Sequence, residues 1–339
     1  MALLGCAVWF SANAAPDTVP PPPRSNPRQN LADIKAILAQ PDNQLDLIRA
    51  KLKIDQMIDP TIDIEKTITQ INSMATKIKQ MLPPKATVQT KMLTLRQFLY
   101  LPGPWNNNNP FHYDFDDKQG TSVQGAMLAH YLATRKGQCV SMPLLYIALA
   151  ERLDMAVALA TAPNHMFVML KDESGAWLNL ETTADGAPTS LATYQRQTPM
   201  TQTALSQGAY MRPLTKREAV AAMAELLVHT YIGGGQPEEA ISLAHLALQY
   251  YPTDIALYLY AGKAFHTMVQ RDFVAVYPTS DDIPVNQKAR FNGLAGRAMA
   301  LQQKAIALGY QPAAAAGQGA YVDKVNQAKA NFVKKDRNQ

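Results

Sequence analysis

Apolar positions recur along this chain in two rhythms. Ile64, Ile68, Ile71, Ala75, Ile78 and Leu82 step by four and three residues and stop before Pro83-Pro84, the pattern of one amphipathic helix with a single buried face. Leu45, Ile48, Leu52 and Ile58 predict a helix before it, so residues 31–100 read as a helical lead-in that supports the fold and carries no chemistry of its own. Leu101 to Ser122 is a loop rich in Pro, Asn and Gly, and Met127 to Thr134 a short helix. Leu144, Leu145, Ile147, Ala148, Leu149 and Leu153 return to helical spacing, with Pro143 in the first turn, where proline is tolerated. After Met155 the rhythm becomes alternation. AVALATAPNHMFVML, KDESG and AWLNLETT predict strand, strand, turn, strand. A helix against a small antiparallel sheet is an α+β core, over residues 101–214.

From Ala221 the pattern is helical again and repeats. A tetratricopeptide-like unit of about 34 residues, ending at Pro252, places Leu227, Tyr231, Ala240 and Ala247 at the repeat's packing positions. Tyr258, Gly262 and Phe265 fit the first helix of a second unit, an insertion spans Asp272 to Pro284, and Phe291, Ala300, Ala307 and Pro312 fit a third. Residues 215–339 are therefore expected to stack as all-α repeats able to take an extended peptide or partner protein.

At 339 residues and 47% apolar content the chain can bury a full core. Its net charge of +5 is mild and its Lys and Arg are scattered, and no nucleic-acid motif accompanies them. Residues 1–14 read as a signal peptide with a shortened basic front, cleaved after Ala14, and residues 15–30 as a proline-rich linker that stays extended. Leu3-Leu4-Gly5-Cys6 is the alternative, a lipid-attachment box. Beyond this leader no stretch approaches the roughly 20 apolar residues of a membrane span, so a secreted or periplasmic location is expected. Asp114, Asp116 and Asp117 share the polar loop, but Gly120 is misplaced and no Glu closes an EF-hand, so the loop reads as a solvated turn. No CxxC or HExxH spacing is present, and no metal or other cofactor is expected.

The chemistry centres on RKGQCVSMP. If Cys6 leaves with the leader, Cys139 is the single remaining cysteine and is expected unpaired, at the mouth of an apolar helix whose first amides favour a thiolate. A thiol nucleophile needs a base. Of the six histidines, His112 falls in the loop, His130 in the short helix, and His229, His245 and His266 in the repeats; His165 alone begins a strand of the same core. A turn over Lys171 to Gly175, centred on Glu173, sets His165 directly opposite Glu181 with Cβ atoms about 5 Å apart, close enough for a carboxylate to hold an imidazole.

GQC, a helix, HMFV and WLNLET together resemble the core of transglutaminase-like domains, a branch of the papain-like cysteine peptidase superfamily, and the whole arrangement is similar to bacterial proteins that join such a core to tetratricopeptide repeats. The resemblance implies Cys139 as nucleophile, His165 as general base and Glu181 as orienting acid, where the family usually has Asp. It further implies the Cys139 amide as an oxyanion donor, with Gln138 and the Trp105 to Asn109 loop beside the substrate. Val140 stands where crosslinking enzymes have Trp, which favours hydrolysis of amide or peptide bonds over crosslinking. The alternative is a catalytically silent binding or scaffold protein acting through its repeats.

Overall fold

The computed structural model describes residues 26–117, 120, 122–198, 200–311, 326–327 and 329–330. The leader and Cys6 lie outside the described residues. The proline-rich stretch does not stay extended to residue 30, because Asn26 accepts the Arg28 amide and Pro27 takes the first position of α1 (Pro27–Leu38). α2 (Leu47–Ile58), α3 (Ile64–Met81) and α4 (Val88–Tyr100) complete the lead-in, each opened by an Asp or Thr side chain that accepts a first-turn amide. The Ile64 to Ile78 stripe is the face that α3 buries, as its spacing predicts.

The loop after α4 is less free than its composition suggests. Residues 112–113 form β1 (His112–Tyr113), which pairs in parallel with β2 (Lys136–Gly137) on the far side of α5 (Leu128–Thr134). Two residues are too short for an alternating pattern, so this pairing leaves no mark in the sequence. Asp116 pairs with Lys136 at 2.7 Å and with Lys329 at 3.2 Å, and Asp117 accepts from Gln138 Nε2 at 2.6 Å and from the Ser122 amide at 2.7 Å. The aspartates thus tie the loop to the segment just before Cys139.

α6 (Ser141–Arg152) is the centre of the molecule. Every residue from Ser141 to Ala150 is buried, with α3, α4 and α5 packed on it from the helical side and β3 (Val157–Ala162) and β4 (His165–Lys171) from the other. β5 (Trp177–Glu181) and β6 (Ala187–Pro188) extend the sheet in the order β3-β4-β5-β6, antiparallel throughout. Its two faces bury different clusters. Leu159, Met166, Val168, Leu170 and Leu180 join the core around α6, whereas Ala160, Ala162, Phe167 and Met169 pack under Tyr194 of α7 (Leu191–Gln197).

After α8 (Gln202–Ser206), the remainder is helical: α9 (Lys216–Met223), α10 (Glu225–Gly233), α11 (Pro237–Leu248), α12 (Ile255–Val269) and α13 (Val285–Ala307). The packing positions Leu227, Tyr231, Ala240 and Ala247 are all buried at the α10/α11 contact, and Gly262 faces Ala298 and Leu301 across the α12/α13 pair. The expected third unit does not form. Phe291 and Ala300 belong to one uninterrupted helix, since nothing between them breaks it, so α13 is the second helix of the second pair. Pro312 lies outside the described residues.

These parts share one core. Buried apolar residues run without a gap from Ile34 in α1 through α6 to Ala264 in α12. Asn30 of α1 donates to the Tyr231 hydroxyl of α10 at 2.8 Å, and the buried Lys51–Asp55 pair of α2, 2.7 Å apart, presents the second Asp55 oxygen to the Leu128 amide at the start of α5. Among the described residues no helix is long and apolar enough to cross a membrane.

Candidate active site

The segment before α6 is built by close backbone contact. A Cβ on Gly137 would come within 2.4 Å of the Tyr131 ring and 2.7 Å of Ser141 Oγ, so this position takes only glycine. Ser141 Oγ accepts the Gln138 amide at 3.1 Å and donates to the Gly125 carbonyl at 2.6 Å, which clamps the turn ahead of the helix. Cys139 sits in that turn, buried, two residues before the first helical residue. It is disulfide-bonded, and none of the described cysteines is free. The expected unpaired thiol belongs to a chain that has lost Cys6, whereas the full sequence holds both cysteines.

α6 rises roughly 18 Å over its length. β3 returns along it over roughly 20 Å, so the end of β3 and the start of β4 arrive back at the mouth of the helix. His165 is the first residue of β4, and its ring lies on the sheet face of Phe167 and Tyr194.

His165 and Glu181 are joined. Nε2 is 2.6 Å from Oε2, and both side chains are essentially inaccessible to solvent. The register that joins them is not the expected one. Lys171 pairs with Trp177 and Val168 with Leu180, so the turn is centred on Ser174 and Glu181 continues the ladder opposite Phe167. The turn residues explain the shift. Asp172 accepts from the Ser174 and Ala176 amides and from Ser174 Oγ, and Gly175 supplies the left-handed φ of +88° that closes the loop. His165 is then the diagonal neighbour of Glu181, about 7–8 Å away between Cα atoms. The extra methylene of Glu spans that diagonal, which accounts for Glu where an Asp would serve in a directly facing pair. The displacement is by two residues along the partner strand, so both side chains keep the same face.

Glu181 is held on all sides. Oε1 accepts from the Thr183 amide at 2.9 Å and Thr183 Oγ1 at 2.7 Å; Oε2 accepts from His165 and from the Tyr194 hydroxyl at 3.0 Å. Burial alone would push this carboxyl up, but the His165 charge and the hydrogen bonds from His165 and Thr183 outweigh it and hold the group below the usual carboxylate range. A carboxylate filled by donors requires a proton on His165 Nε2. His165 Nδ1 is buried with no hydrogen-bond partner among the described residues. Ala162 stands opposite His165 on β3, leaving the ring bounded on that side by a small residue.

Residues 65–225 match the family model of the transglutaminase-like superfamily. They are similar to a transglutaminase-like domain. Its limits take in α3 and α4 from the lead-in and reach the start of α10. No curated protein and no solved structure matches the chain.

Within the transglutaminase-like domain the other expected site residues are placed differently. The Trp105 indole N–H donates to the Gln97 and Leu101 carbonyls at 3.1 and 3.2 Å, so it closes the end of α4 and is not offered to a substrate. Gln138 is buried and its side-chain amide is spent on Asp117, which leaves the backbone amides of this turn as the donors nearest Cys139 in sequence. Thr183 and Tyr194 escaped the sequence reading. Thr183 carries a local signal, since a Glu followed two residues later by Thr can cap the short 3-10 turn Thr182–Ala184 with its own side chain. Tyr194 carries none, because only tertiary packing brings α7 over the strand.

Proposed function

We propose that this chain is a secreted or periplasmic thiol enzyme that cleaves amide or peptide bonds, with Cys139 as nucleophile, His165 as base and Glu181 as the acid that orients it. The buried His165–Glu181 pair carries the reading, because it holds a proton on Nε2 and leaves Nδ1 as the nitrogen able to accept another. Once Cys6 has left with the leader, Cys139 is the single cysteine and carries the thiol. His165 Nδ1 takes the Sγ proton, and the thiolate attacks the substrate carbonyl carbon. The tetrahedral oxyanion collapses with cleavage of the C–N bond, and the amine departs with the proton from His165. Water, deprotonated by the same nitrogen, then hydrolyses the thioester. The Cys139 amide is the nearest oxyanion donor.

The test is the pH dependence of Cys139 alkylation in reduced protein. An inflection below the ordinary thiol value of about 8.5, moved upward by His165→Ala, supports the reading. A thiol that reacts only after denaturation, at a rate indifferent to His165, removes it. The second reading is a silent core whose helix pairs bind a peptide or partner protein, and the oxidised state of Cys139 is the observation that favours it.

A further inference from the structure

We infer that Tyr194 is a positioning residue of this site, whose hydroxyl shares Glu181 Oε2 with His165 Nε2 and thereby sets the tautomer of the imidazole and moderates the carboxylate's hold on its proton. The inference rests on the proposed roles of His165 and Glu181. Its geometry is local and complete. The Tyr194 ring lies 4.5 Å from Phe167 and 6.1 Å from His165, centroid to centroid, and its hydroxyl is 3.0 Å from Oε2. α7 is fixed in place by Ser190, whose hydroxyl accepts the Thr193 amide, and by Thr198, whose hydroxyl and amide both donate to the Tyr194 carbonyl.

A packing role alone needs the ring and not the oxygen. Phe167, Met169, Ala160 and Ala162 surround Tyr194 with apolar contact, so phenylalanine would satisfy the cluster. The hydroxyl instead reaches the one carboxylate oxygen that also serves His165. Two donors on one oxygen divide its charge. Without the phenol, Oε2 belongs to the imidazole alone and its hydrogen bond from Nε2–H strengthens. The phenol is a lasting donor, because burial and then the Glu181 charge push its own ionisation upward. Thr183 holds the other oxygen, so the carboxylate has two sides, one fastened to the strand end and one divided between base and tyrosine.

The test is nitrogen NMR of the full chain carrying labelled histidine, read against pH. The native protein is expected to show the Nε2–H tautomer for His165. Tyr194→Phe is expected to move the His165 Nε2 proton downfield, the direction of a stronger hydrogen bond to Oε2, and 3-fluorotyrosine at position 194, a stronger donor, to move it upfield. A packing role would move the Nε2 proton in neither variant while Tyr194→Ala still lost stability, and that result overturns the inference. So does an Nδ1–H tautomer in the native protein. The fluorotyrosine measurement keeps the test open should Tyr194→Phe fold poorly. The outcome separates from that of the proposed function: a Cys139 without reactivity removes the enzyme reading and leaves the imidazole shifts unchanged.

Discussion

His165 and Glu181 meet on the diagonal of the β4/β5 ladder, Nε2 to Oε2 at 2.6 Å, and not straight across it. Side-chain length is therefore part of the contact. Glu181→Asp is expected to pull the carboxylate back by about one bond length and to slow alkylation of reduced Cys139 at pH 6 roughly tenfold. Glu181→Gln should keep the fold and slow it further, since it removes the charge that favours the imidazolium. Equal rates for native protein and Glu181→Asp would show that the diagonal carries no weight.

The same carboxylate links stability to acid. Its folded pKa lies below the unfolded value of about 4.3, so its contribution is fully present above that value and is lost as pH falls through the folded pKa. Denaturant melts of native protein and Glu181→Gln are expected to differ by about 1–3 kcal/mol near neutral pH, and the gap should close below about pH 4. A gap that widens in acid would contradict the depressed carboxyl.

Reactivity of Cys139 should follow its redox state. In the full chain it is expected to resist iodoacetamide until a dithiol is added, because its sulfur is oxidised. A chain beginning at Ala15 contains one cysteine, so its monomer should alkylate without reductant, with a mass on Cys139 that peptide mapping can locate.

Gly137 allows the turn before α6 to press on Tyr131 and Ser141. Gly137→Ala is expected to cost about 1–3 kcal/mol, read as a lower melting midpoint, because the intruding carbon meets an aromatic ring and a clamping hydroxyl in a packed interior. Gly175→Ala meets no neighbour, and its smaller loss should come from the left-handed φ alone.

One core spanning α1 to α12 should melt as one unit. Calorimetry of the full chain is expected to show a single transition, and truncation after residue 214 to give an aggregating product, since it bares the faces of α2 and β3 that α9 covers. A truncated chain that stayed monomeric and folded would show that the C-terminal helices are an independent domain.

Much of this architecture was legible in local pattern. The stripe of α3, the helix mouth at Cys139, the strand opening at His165 and the strand ending at Glu181 all follow from periodicities of 3.6 and two, and the order of those three residues led to the transglutaminase-like domain. The face shared by His165 and Glu181 followed too, because a shift of two residues preserves strand parity. What the pattern left open was every relation that depends on residues distant in sequence or on a choice between turns of similar composition. The Asp172 side chain chose the centre of the hairpin. The absence of a breaker between Phe291 and Ala300 made α13 one helix and removed the third repeat. Packing of α7 over the outer face of the sheet brought Tyr194 to Glu181, thirteen residues away, and packing of α1 on α10 fused the lead-in to the C-terminal helices. Periodicity says which face of an element is buried; only the tertiary structure decides against what, because that choice is made by the fit of surfaces that no single segment contains.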